Sequence, residues 1–133
     1  MRISPHHAGI TVRDLDGSAS WYSLALGLET QLRFELPGGE RGAILRSAGG
    51  AGLELFEVAE PLSGISGRSP LETMRTTGFG HLAFSTDDLD TAWHQVLSCG
   101  ADPVWEPRQS PEPGMRMAFI HDPDGNLIEL IGR

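Results

Sequence analysis

The chain has 133 residues, of which 39% are hydrophobic, and 18 acidic against 10 basic residues give it a formal charge of −8. That supplies enough apolar material for one compact domain spanning 1–133 and leaves no room for a second. The negative balance repels phosphate backbones and offers no basic stripe, which argues against DNA and RNA as partners. No apolar run approaches a transmembrane span, and MRISPHHAG lacks the basic-then-apolar order of a secretory signal, so a soluble, cytoplasmic protein with no membrane partner is expected.

Two stretches echo each other. HAGITVRDLD begins at His7 and HLAFSTDDLD at His81, with Asp-Leu-Asp seven, eight and nine residues after each His. From His7 to Glu54 is 47 residues and from His81 to Glu129 is 48. A half that cannot close its own core pairs with its twin, so the repeat is the first organising fact.

In chain order, alternation predicts a strand over His7 to Val12, then a helix with Asp16 or Ser18 as candidate caps. Ala19, Tyr22, Leu26 and Trp21 give that helix an apolar stripe, and Gly27 stops it. Strands are expected near Thr30 to Leu36, Ala43 to Arg46 and Gly52 to Val58, separated by the Pro37-Gly38-Gly39 and Gly49-Gly50 turn signals. The connector from Ala59 to Thr77 holds a segment, Pro70 to Arg75, that suits a short helix. The second copy then runs from a strand at Gly80 to Thr86, through a helix over Leu89 to Ser98, to strands near Pro103 to Glu106, Arg116 to His121 and Leu127 to Ile131. Between the first two of these, the segment from Pro107 to Gly114 carries three prolines and reads as a loop; Asp122-Pro123-Asp124-Gly125 closes the last hairpin. The lone Cys99 cannot form an intrachain disulfide, and its place at a helix end before Gly100 is an ordinary one for a small, partly buried thiol.

Strand alternation places Leu53 and Leu55 on one face and Glu54 on the other, and separates Ile128 and Leu130 from Glu129 in the same way. His7 shares its face with Gly9 and Thr11, and His81 with Ala83 and Ser85, small residues that leave room beside each imidazole. A carboxylate between apolar neighbours needs a cation or donor. Two imidazoles and two carboxylates suit zinc, nickel, cobalt, manganese or iron better than calcium. Taken singly, each of the four reads as a satisfied core His or a solvated Glu; at repeat-equivalent positions they read together as ligands.

HAGITVRDLDGSASWYSLALGL, LELFE, GFGHLAFSTDDLD and FIHDPDGNLIELI, which between them span nearly the whole chain, resemble the vicinal oxygen chelate superfamily of glyoxalase I, methylmalonyl-CoA epimerase, extradiol dioxygenases and bleomycin and fosfomycin resistance proteins. The resemblance implies an α+β fold in which two βαβββ modules, about 6–58 and 79–133 with a connector over 59–78, form a cupped eight-stranded mixed sheet around one divalent metal. It carries the ligand role onto His7, Glu54, His81 and Glu129. A fourth protein ligand in the Glu54 position is most like the glyoxalase I and epimerase branches. It implies a lyase or isomerase that shuttles a proton next to a carbonyl through a metal-bound enediolate, with Glu129 as base and Glu54 as its counterpart.

The glutathione contacts of bacterial glyoxalase I are not matched, because Thr11, Val58 and Pro111 stand where Arg, Asn and a basic residue are expected. A small-molecule substrate other than a glutathione hemithioacetal is implied. Arg108 and Arg116 are candidates for clamping an anionic group, or are solvated charges; Trp105, Phe56 and Met117 are candidates for an apolar pocket, or are core. His6, His94 and His121 are set aside as non-ligands, His6 because its neighbour His7 must face the other way. The resemblance also implies a homodimer. Its alternatives are a metal-free drug-binding resistance protein and an iron-dependent extradiol-type dioxygenase.

Overall fold

The computed structural model describes residues 1–62, 64 and 66–133. Its elements run β1 (His7–Val12), α1 (Leu15–Leu26), β2 (Glu29–Glu35), β3 (Arg41–Arg46), β4 (Gly52–Glu57), α2 (Pro70–Thr73), β5 (Leu82–Thr86), α3 (Leu89–Ser98), β6 (Asp102–Gln109), β7 (Arg116–His121) and β8 (Leu127–Gly132). The chain divides into two compact units, Met1–Leu62 and Ser63–Arg133. Each contains one four-stranded mixed sheet, and the strand orders β1-β4-β3-β2 and β5-β8-β7-β6 are the same order twice. The first and last strands of each unit pair in parallel, and the rest are antiparallel.

The helices α1 and α3 each begin at the first Asp of an Asp-Leu-Asp. Asp14 is extended at φ −137° and accepts from the Gly17 N–H at 3.1 Å; Asp88 does the same for Thr91 at 3.0 Å. The cap of α1 is therefore neither Asp16 nor Ser18. An Asp outside the helix can fold its carboxylate back onto the free N–H groups, whereas Asp16 lies within the first turn and Ser18 is buried in the helix. Gly27 ends α1 in the left-handed region at φ 68°, as expected. The buried side of α1 includes Ala19, Trp21 and Tyr22 but takes Ala25 in place of Leu26, and it packs on Ala43, Leu45, Leu53 and Leu55 of its sheet. In the second unit Leu89, Trp93 and Val96 of α3 are buried with Ala118, Ile120, Ile128 and Leu130.

The proline-rich loop is shorter than its composition suggests, because β6 runs on to Gln109 through Pro107. As the edge strand of its sheet β6 tolerates missing N–H donors, and its pairing with β7 shifts register between Pro103 and Trp105 and again between Trp105 and Arg108. The short connector helix is present as α2, with Pro70 at its start and a capping box in which Ser69 and Glu72 exchange hydrogen bonds. Among the described residues no helix is long and apolar enough to cross a membrane.

Candidate functional site

In the first unit the parallel pairing of β1 and β4 sets Gly9 opposite Glu54, and His7 opposite Gly52. Gly9 carries no side chain between the two functional groups, and a Cβ there would stand 3.8 Å from Glu54 Oε1. His7 Nε2 lies 3.4 Å from that same oxygen. In the second unit Ala83 stands opposite Glu129, and His81 Nε2 lies 3.0 Å from Glu129 Oε2. The neighbours Leu53, Leu55, Ile128 and Leu130 are buried against the helices, so both carboxylates project from the opposite sheet faces. The Glu54 and Glu129 side chains are 17% and 13% exposed, and their imidazole partners 32% and 40%.

These spacings bear on whether the residues suit a divalent cation. Two donors bonded to one ion at about 2.1 Å, at angles from square to tetrahedral, stand about 3.0 to 3.4 Å apart. Both pairs fall in that interval, and each couples a borderline nitrogen to an anionic oxygen, a set that fits the first-row divalent ions. Among the described residues His, Cys, Asp and Glu form no group of three or more with ligand spacing; the structure brings His7 to Glu54 and His81 to Glu129.

A cleft of about 550 Å³ opens in the second unit, with the His81–Glu129 pair in its lining. Trp105, Met117 and Phe119 form part of its wall on the sheet side, and Leu71 and Met74 face it from the connector. Trp105 and Met117 are thus where an apolar pocket needs them. Phe56 instead packs edge to face on Phe34 in the first unit, with centroids 5.8 Å apart. Phe119 was not anticipated, although counting back from the Asp122–Gly125 turn places it directly opposite Glu129.

The arginines are committed elsewhere. Arg116 donates to Asp90 at 2.9 Å, which holds the Asp90 carboxyl below its ordinary range, and Arg108 donates to the Glu106 carbonyl while lying over the Trp105 ring. In the first unit Arg41 donates twice to Glu57, and Glu57 also accepts from the Leu15 N–H; these bonds hold the Glu57 carboxyl below the usual carboxylate range.

The excluded histidines divide. His121 is buried with both ring nitrogens engaged, by Asp102 at 3.1 Å and the Arg68 carbonyl at 2.9 Å, and His94 bonds the Asp90 carbonyl of its own helix. His6 is different. It precedes β1, so strand alternation does not turn it away, and its Nδ1 lies 2.7 Å from His7 Nδ1. Cys99 caps α3 and is partly buried.

Comparison with known proteins agrees with the repeat architecture. The family model described as Glyoxalase/Bleomycin resistance protein/Dioxygenase superfamily matches residues 4–130. A probable lactoylglutathione lyase from Synechocystis is 30% identical over 94% of this chain and 92% of its own length. The lactoylglutathione lyase of Arabidopsis thaliana is 31% identical over 96% of this chain, which spans only 43% of that longer protein. The crystal structure of glyoxalase I from Zea mays superposes with a TM-score of 0.76 at 27% identity, covering 97% of this chain and 44% of that one. With the repeated βαβββ order, the duplicated His–Glu pairs and a family match over almost its whole length, the chain belongs to the glyoxalase/bleomycin resistance protein/dioxygenase superfamily.

Proposed function

We propose that this protein is a divalent-metal-dependent lyase or isomerase of the glyoxalase type, moving a proton between carbons next to a carbonyl, and that its substrate is a small molecule other than a glutathione hemithioacetal. One observation carries the reading: the same His–Glu pair occurs twice at repeat-equivalent positions with ligand-like spacing. The likeness to proteins named lactoylglutathione lyase supports the reaction class.

In this reading His7, Glu54, His81 and Glu129 supply four donors to one cation of nickel, zinc, cobalt, manganese or iron, and the active form is a homodimer. When bound, the cation supplies Lewis acidity toward a carbonyl oxygen. Glu129 takes the proton from a hydroxyl-bearing carbon beside the carbonyl and returns it to the former carbonyl carbon, while the hydroxyl proton passes to the former carbonyl oxygen, so that the two functions exchange places; Glu54 is its counterpart on the other unit. Phe119 and Trp105 give the cleft an apolar lining beside Glu129.

The case against glutathione rests on the missing grip. Thr11, Val58 and Pro111 cannot bind a carboxylate through charge, no Lys or Arg lines the cleft among the described residues, and Arg116 is already paired with Asp90. No observation specifically favours the drug-binding or ring-cleaving alternatives.

The deciding experiment has two parts. Metal content per chain is measured by mass spectrometry after loading with a divalent mixture and removal of loose ions, and the loaded protein is assayed with methylglyoxal and glutathione. One tight equivalent with poor turnover is expected. No retained metal overturns the metal-dependent reading; rapid turnover overturns the exclusion of glutathione.

A further inference from the structure

The two His–Glu pairs are not equivalent in what stands behind them. In the first unit Arg46 Nη2 lies 2.9 Å from His6 Nε2, and His6 Nδ1 lies 2.7 Å from His7 Nδ1. Arg46 is anchored by three further bonds, to Gln31 Oε1 and to the carbonyls of His6 and Gly50. Among the described residues the second unit has no such arrangement. Gly80 stands at the place of His6, where a Cβ would meet Thr73 Oγ1 at 3.3 Å, and His121 stands at the place of Arg46.

A guanidinium only donates, so its bond to His6 Nε2 assigns that nitrogen as acceptor in a neutral ring. The His6 proton is then on Nδ1 and is donated to His7 Nδ1. His7 in turn carries its proton on Nε2, the nitrogen that faces Glu54. Donation runs from Arg46 through His6 to His7 Nδ1 and leaves a proton on His7 Nε2, which lies 3.4 Å from Glu54 Oε1.

We infer that Arg46 and His6 are positioning residues that set the tautomer of His7 and hold its Nε2 out of service as a cation ligand. The inference rests on the metal-binding reading above for its consequence, but the tautomer itself does not depend on it. An imidazole whose Nδ1 accepts and whose Nε2 bears hydrogen has no lone pair to give a cation. Freeing Nε2 moves the His7 proton to Nδ1, which makes His6 Nδ1 an acceptor and puts the His6 proton on Nε2, against the Arg46 N–H. Loading the first unit therefore breaks the Arg46–His6 bond, whereas among the described residues His81 meets no such competitor.

The direction of the effect separates this from a merely structural role. Removing a support weakens cation binding; removing a competitor tightens it. In metal-free protein at a pH where imidazoles are neutral, nitrogen NMR of labelled histidines is expected to show His7 protonated on Nε2. Arg46→Met is expected to move that population toward Nδ1, and Arg46→Lys, which keeps a donor, to retain it. Titration with cobalt alone, followed by its absorption spectrum, is expected to show about tenfold tighter binding in Arg46→Met and in His6→Ala, with no added gain in the double variant. His6→Ala, lying outside β1, serves if Arg46→Met fails to fold. A His7 proton on Nδ1 in the parent protein overturns the inference whatever the metal result, as does unchanged or weaker cobalt binding in both variants where the parent binds cobalt. If neither parent nor variants bind cobalt while the His7 tautomer shifts as expected, the positioning stands and the metal reading fails.

Discussion

Phe119 meets His81 edge to face, with ring centroids 5.3 Å apart and planes at 84°, while standing directly opposite Glu129 in the β7–β8 ladder. One aromatic side chain thus flanks both members of the second His–Glu pair. Trp105 meets it in a second edge-to-face contact at 5.5 Å. In the first unit the corresponding position is Ile44, opposite Glu54.

Replacing Phe119 by Ala removes a nearly buried ring and the contact that orients the imidazole. Stability is expected to fall by about 3 kcal/mol or more in urea titration. Cation affinity is expected to drop by about tenfold, while Ile44→Ala in the first unit, which touches no imidazole ring of its pair in this way, loses stability with a smaller effect on affinity.

Glu129→Gln keeps the size of the side chain and removes the base. Turnover of whichever substrate is identified is expected to drop by about 10²- to 10⁴-fold, with cation binding partly retained. Steady-state kinetics beside metal analysis checks this, and near-normal turnover refutes the assignment of Glu129.

Trp105→Ala enlarges the cleft without touching a proposed ligand. KM is expected to rise for substrates bearing apolar or aromatic groups and to change little for small polar ones, with kcat less affected than KM. A uniform fall in kcat with unchanged KM would place Trp105 in the chemistry instead.

Acid sensitivity follows from the carboxyls that the arginines hold low. Glu57, beside Arg41 and the Leu15 N–H, and Asp90, beside Arg116, bind protons less readily folded than unfolded. Their contribution is complete above the ordinary values of 4.5 and 3.8 and is lost as pH falls below them toward the lowered folded values. Thermal scans from neutral to acid pH are expected to show stability declining in that window, and Glu57→Gln to flatten part of the decline.

Gly27→Ala forces a side chain into the left-handed region at φ 68° where no other atom crowds it. The cost is purely conformational, about 1 kcal/mol, readable as a lower urea midpoint with an unchanged slope.

The repeat made most of this architecture legible before any coordinates. β1, α3 and β7 match the sequence-based limits, and the parity of Leu53, Glu54, Leu55, Ile128, Glu129 and Leu130 follows from alternation alone. The cap of α1 was misplaced because both aspartates of Asp-Leu-Asp satisfy the same local rule, and only the backbone angle at Asp14 separates them. Pro107 hid the end of β6, since a proline is permitted in a strand only where no partner needs its N–H, and edge position is a tertiary fact. His6 escaped for a related reason, because alternation applies only inside a strand and the strand begins one residue later.

The connector side of the cleft is fastened at each turn. The Ser69–Glu72 capping box closes α2, Thr73 Oγ1 donates to the Pro70 carbonyl, His121 holds the Arg68 carbonyl, and the Gly67 N–H bonds Gly125. A wall secured in this way meets its guest already shaped, so little ordering entropy is lost on encounter. Rapid-mixing traces for a ligand entering the second-unit cleft should then be single exponentials whose rate climbs linearly with concentration, with no slow phase approaching a plateau.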